Sequence, residues 1–114
     1  MKKFMVLYMA PSAAFEAAMA AATPEQQQKG LQAWMGWMTA NKASLVEGGA
    51  PLGRTKRIDA GGTRDVKNEI GGYSIVQAET ADAAATLLAK DHPHLTLMPG
   101  GWIEMMEIAE IPGM

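Results

Sequence analysis

The chain carries two histidines, His92 and His94, held one residue apart in Lys90-Asp91-His92-Pro93-His94. No other imidazole occurs in the sequence, so acid–base or ligand chemistry has one obvious place to sit. His92 is expected at the C-terminal end of a helix stopped by Pro93, where unsatisfied carbonyls favour a cationic ring able to shuttle protons. The structural alternative is a ring that merely caps those carbonyls. His94, following the proline, is expected in a loop, as a ligand contact or a solvated side chain. Together with Asp91, Glu104 or Glu107 the two rings would offer nitrogen and oxygen ligands. Their spacing across a proline matches no zinc pattern, and no metal or other cofactor is expected.

Helpers for His92 come from two carboxylates. Asp91 is its sequence neighbour, either orienting the ring or simply solvated. Glu104 lies inside an apolar stretch, and burial there would raise its pKa and suit it to general-base work. Strand alternation sets Glu104 opposite Met105 and puts Glu107 on the Met105 side. The same alternation offers Tyr8, Tyr73 and Gln77 as polar groups of a pocket, against the alternative of packed aromatics with satisfied hydroxyls. Arg54, Lys56, Arg57, Arg64 and Lys67 concentrate positive charge, but Asp59, Asp65 and Glu69 interleave with them, which describes a solvated hairpin. The glycine pairs lack a phosphate-loop context, and Ser12, Ser44 and Ser74 lack a nucleophile elbow.

These residues must be positioned by the elements around them. Met1-Lys2-Lys3 followed by residues 4–10 imitates a short signal peptide, but its brevity and its Phe, Val and Tyr favour a buried strand. A helix over residues 12–21 follows. Thr23, Pro24 and Gln26 then form a capping box with proline at the first helical position. Leu31, Trp34, Met35 and Met38 make the apolar stripe of that second helix, with Trp34 in the core. Trp37 lies off the stripe and is expected in a pocket wall or a subunit seam. Gly30 and Gly36 suggest another backbone close by.

Residues 43–53 read as a strand broken by glycines, placed at an edge by Pro51. Residues 54–68 read as a hairpin with its tip at Asp59-Ala60-Gly61-Gly62-Thr63. A third strand spans residues 73–79, Thr80 caps a short helix with Asp82 in its first turn and Leu87 and Leu88 facing inward, and a last strand runs over 102–108. Glu110 to Met114 is a tail. The order β-α-β-β-α-β predicts an α+β, ferredoxin-like domain: a four-stranded antiparallel sheet with a split first helix and helices on one face.

Length allows one domain, residues 1–114, with one core. Apolar residues are 48% and charged residues 19%, which argues against disorder, and a net charge of -2 provides no global field for nucleic acid or an anionic membrane. Cysteine is absent, which excludes disulfides and thiolate chemistry and fits a cytoplasmic location. The uncovered sheet face, with residues 4–9, 73–78 and 105–108, is apolar enough to predict a homodimer whose sheets face each other.

The opening Lys3-Phe4-Met5-Val6-Leu7-Tyr8, Trp34-x-x-Trp37, Gly48-Gly49-Ala50-Pro51-Leu52, the run from Lys67 through Gly71-Gly72-Tyr73 to Val76, His92-Pro93 and Ile103-Glu104-Met105 resemble the YCII-related family, in its DGPF-type branch. The resemblance implies a dimeric α/β barrel with a pocket between sheet and helices. Some relatives are similar to small-molecule lyases or dehalogenase-like enzymes, and others are fused to regulatory proteins. The Asp-Gly-Pro-Phe stretch itself is replaced here by Asp59-Ala60-Gly61-Gly62. The first long helix has no histidine for a family-type His–Asp pair, and His92 stands where such relatives have Asp before Pro. The leading expectation is a pocket for a small organic molecule with acid–base chemistry at His92, by elimination, hydrolysis or proton transfer. The alternatives are a non-catalytic accessory dimer and a cofactor-free oxygenase with Trp34 or Trp37 as aromatic walls.

Overall fold

Alternation along the first apolar run divides the molecule into two sides. The computed structural model describes residues 1–113. Its elements are Lys2–Met9 (β1), Ser12–Ala21 (α1), Pro24–Ala40 (α2), Leu45–Pro51 (β2), Thr55–Asp59 (β3), Gly62–Val66 (β4), Ile70–Ala78 (β5), Ala81–Ala89 (α3), Pro93–Leu97 (α4) and Trp102–Glu107 (β6). A single 3-10 turn, Lys42–Ser44, leads into β2. In β1, Phe4, Val6 and Tyr8 are buried, while Met5 and Leu7 are half-buried on the opposite face.

The four-stranded sheet has the order β2-β5-β1-β6, with every pairing antiparallel. This is the expected α+β, ferredoxin-like arrangement. Pro51 does lie in an edge strand, where a missing N–H is tolerated. β3 and β4 form a separate two-stranded ribbon, the solvated charged hairpin the sequence describes, with one ion pair, Lys56–Asp65, across its strands and another, Arg57–Asp59, along β3.

Helices α2 and α3 begin as their sequences dictate. Thr23 Oγ1 accepts from Gln26 N at 3.2 Å while Gln26 Oε1 accepts from Thr23 N at 2.9 Å, a reciprocal capping box. Thr80 Oγ1 accepts from Ala83 N at 3.1 Å. Both helices pack on the Phe4 side of the sheet, where Trp37, Ala84 and Leu88 join Phe4, Val6, Tyr8 and Val76 in the core.

Other expectations are corrected. The buried stripe of α2 is not the expected one: Leu31 and Met35 are 61% and 54% exposed, and Trp37 is core at 7%. The helix turns its indoles inward, because a tryptophan removes more apolar area from water than a leucine does. Gly30 and Gly36 have nothing within 4 Å of where a Cβ would stand, so no second backbone approaches them. The strand expected over residues 73–79 starts earlier and takes in Gly71 and Gly72. Pro93 does not close a helix; it opens one. α3 ends at Ala89, Asp91 turns the chain with a left-handed φ of 52°, and α4 starts at Pro93. Aspartate tolerates that conformation better than most residues. The expected tail is non-regular from Glu110 to Gly113, and Met114 lies outside the described residues. Among the described residues no helix is long and apolar enough to cross a membrane; strands are another matter.

Candidate functional site

The Asp91 turn buries both histidines. His92 is fully enclosed and His94 is 5% exposed, so His94 is not a loop residue but the second residue of a short helix. His92 sits at the N-cap of α4, not at the C-terminus of α3. Its Nδ1 accepts from the His94 backbone N–H at 3.0 Å. Because Nδ1 is the acceptor, the proton of the neutral ring is on Nε2, which is buried without a partner among the described residues. The ring stands against Trp37, Trp34 and Tyr8 at centroid distances of 4.4, 4.9 and 5.1 Å.

The expected cationic His92 is therefore overturned. Burial, and secondarily the nearby His94, push its pKa down to about 4. A protonated Nδ1 would also confront the N–H it now accepts.

His94 differs. Its Nε2 lies 2.7 Å from the carbonyl oxygen of Met9, and a carbonyl only accepts, so Nε2 carries the proton and Nδ1 the lone pair. Nδ1 has no hydrogen-bond partner among the described residues. A Cβ on Gly101 would stand 3.0 Å from the same Nε2, so the close approach of the turn before β6 to the ring requires glycine or a yielding neighbour.

His94 forms part of the wall of a cavity of about 370 Å³, within the size range of small-molecule sites. Tyr8, Phe15, Trp34, Met38 and Met98 are among its apolar lining. The Tyr8 hydroxyl hydrogen-bonds Ser74 Oγ at 2.6 Å. Burial raises the Tyr8 pKa, with the Ser74 bond opposing that shift, so the phenol stays protonated near neutrality. Phe15 reaches the cavity from α1, a helix with no buried residue, by laying its ring against Gly71. A larger crevice of about 530 Å³ lies between α2, α3 and α4, walled by Trp37, Leu87, Lys90, Asp91 and Leu97 among others, but neither histidine reaches it. The chemistry favours the smaller cavity.

The remaining candidates fall elsewhere. Asp91 is exposed and makes no hydrogen bond to His92. Leu7 pairs with both Tyr73 and Glu104, which puts those two residues on the sheet face opposite Tyr8 and Ser74. There Glu104 accepts from Trp102 Nε1 at 2.8 Å, and the Tyr73 hydroxyl donates to Glu47 at 2.6 Å. Tyr73 still borders the cavity at the β2–β5 edge. Gln77 donates to the Ala43 carbonyl on that same far face. The fold therefore brings Tyr8, Trp34, Trp37, His92 and His94 together and keeps Glu104 and Gln77 apart from them. Trp37 packs against His92 and walls the larger crevice, not the cavity of His94. No group of three or more His, Cys, Asp or Glu that could hold a metal ion occurs among the described residues. Sequence reasoning missed the Met9 carbonyl, Ser74, Phe15 and Gly101. The preference of proline for the first helical position was the signal that could have reversed the reading of Pro93.

No family model matches the chain, so the YCII-related resemblance remains one of motifs, and no curated protein matches it. Among solved structures it is similar to the 5-chloro-2-hydroxyhydroquinone dehydrochlorinase of Burkholderia phenoliruptrix AC1100, in complex with 2,5-dihydroxybenzoquinone. That likeness has 17% identity over 90% of each chain and a TM-score of 0.49, too distant to carry an argument about activity.

Proposed function

We propose that the protein binds a small, largely apolar organic molecule in the cavity beside His94 and that His94 moves a proton on it. One observation carries this reading: a buried imidazole in the cavity wall, with Nε2–H tied to the Met9 carbonyl and the Nδ1 lone pair left over. In the proposed step Nδ1 takes a proton from an O–H or C–H of the ligand. The imidazolium that forms is stabilised through its Nε2–H bond to Met9, and it hands the proton to another atom of the ligand in isomerisation or to the departing group in elimination; in hydrolysis the proton comes from the attacking water and goes to the leaving group. Tyr8, Trp34 and Phe15 hold the flat or branched apolar body, and the protonated Tyr8 hydroxyl offers a polar contact. Elimination, isomerisation and hydrolysis all use such a base. The half-exposed far face of the sheet supports assembly as a homodimer with Tyr73, Gln77 and Glu104 at the seam, and the cysteine-free sequence is compatible with the cytoplasm.

The test is a panel of phenols and hydroquinones titrated into isotope-labelled protein, read at Tyr8, Trp34 and Met98. Binding that perturbs those residues, with proton exchange or turnover removed by His94→Gln, supports the reading. A panel that leaves the cavity resonances unmoved at millimolar concentration removes it. Binding that persists unchanged in His94→Gln, with no chemistry in either protein, favours the accessory, non-catalytic dimer.

A further inference from the structure

His92 lines neither of these cavities, yet it is the most enclosed polar side chain among the described residues. We propose that His92 is the positioning residue for His94, acting through two separable features of one ring. This rests on the reading of His94 as the proton-moving group. The first feature is Nδ1. A helix as short as Pro93–Leu97 does not hold itself, since nucleation is unfavourable and few bonds repay it. His92 closes its first turn from both ends: Nδ1 takes the His94 N–H, and its carbonyl takes the N–H groups of Leu95 and Thr96 at 2.9 and 3.1 Å.

The second feature is the ring itself, wedged between Trp37, Trp34 and Tyr8. A Ser, Asp or Asn caps a helix without burying an unpartnered donor, as Nε2–H is buried here. None of them fills an aromatic box. The cap fixes where His94 stands, and the wedge adds the packing that stabilises the short helix against α2. The His94 side chain then has one hydrogen bond among the described residues, to the Met9 carbonyl, beside its packing against Tyr8 and Phe15. Moving the cap swings the ring about that bond and re-aims Nδ1.

The features come apart by substitution. His92→Phe keeps a ring and removes the cap; His92→Asn keeps a cap and removes the ring. Nitrogen-15 spectra of the His94 imidazole in the full chain read the outcome without any substrate. In the wild type His94 holds one tautomer, Nε2–H. In folded His92→Phe the separation between its two nitrogen resonances collapses toward the average of both tautomers, and in His92→Asn it is restored while the thermal midpoint falls. Unchanged His94 resonances in His92→Phe overturn the proposal, as does failure of folded His92→Asn to restore them. Should the Phe variant not fold, the wild type decides: a scalar coupling across the hydrogen bond from His94 N to His92 Nδ1 supports the positioning role, and its absence removes it. If ligand panels fail but the tautomer follows the cap, the proton-transfer reading falls and the positioning of His94 stands.

Discussion

Neighbouring residues on β1 live in different solvents. Val6 and Tyr8 face the helices, where Val76, Ser74 and the two histidines are sealed; Met5 and Leu7 face the other way, among Ile75, Tyr73, Glu104 and Met106. The same strand thus builds a dry, chemically unusual side and a half-wet, chemically ordinary one. On the dry side a hydrogen bond between Tyr8 and Ser74 and a depressed His92 are consequences of burial. On the wet side Tyr73 is displaced upward in pKa by a different cause, its bond to Glu47 and that carboxylate's charge. A tyrosine shift alone therefore does not locate a site; its cause does.

The largest expected effect tests the dryness directly. Phe4→Ala should cost about 3–5 kcal/mol in denaturant unfolding, whereas Leu7→Ala in a lone subunit should cost about 1 kcal/mol or a little more. A Leu7→Ala loss that grows with protein concentration toward the Phe4→Ala value would erase the contrast and show the open face covered by a second copy. Next comes acid. The folded pKa of His92, about 4, lies below the ordinary 6.5, so the unfolded chain binds the extra proton first as pH falls. The contribution is complete above about pH 6.5 and lost progressively down to about pH 4, on the order of 3 kcal/mol in total. His92→Phe should flatten that part of the stability profile; an unaltered profile would place the acid sensitivity elsewhere. The smallest effects concern the tyrosines. Tyr8→Phe should lose about 1 kcal/mol with the buried bond to Ser74. Glu47→Gln should lower the Tyr73 pKa in ultraviolet titration and leave Tyr8 where it is, and a shift of both would mean the two sides communicate.

What the sequence made legible follows from the range of the forces involved. Thr23-Pro24-Glu25-Gln26 and Thr80 announce helix starts because capping is a contact over three residues. The Asp59-to-Thr63 tip and the edge position of Pro51 are likewise local. Alternation correctly separated Glu104 from Met105, but it does not say which face the helices cover, and so it left Glu104 beside His92 in prospect when the sheet stands between them. Pro93 was ambiguous for a related reason. Proline after a helix and proline at the start of the next share one chain position when a single left-handed residue joins the two. The inward turn of Trp37 depended on what it met, a histidine ring from α4, and no periodicity in α2 encodes that partner.

Helix α1 meets the cavity through the Phe15 ring, which lies on Gly71 and beside His94, and its Glu16 pairs with the exposed Lys67. With no side chain fully withdrawn from water, it can detach while the sheet, the capped helices and both imidazoles stay in place. Its amides should exchange with deuterium earlier than those of β1 or β5. Loosening α1 would therefore widen the cavity beside His94 at the cost of one phenyl ring's packing and one exposed ion pair.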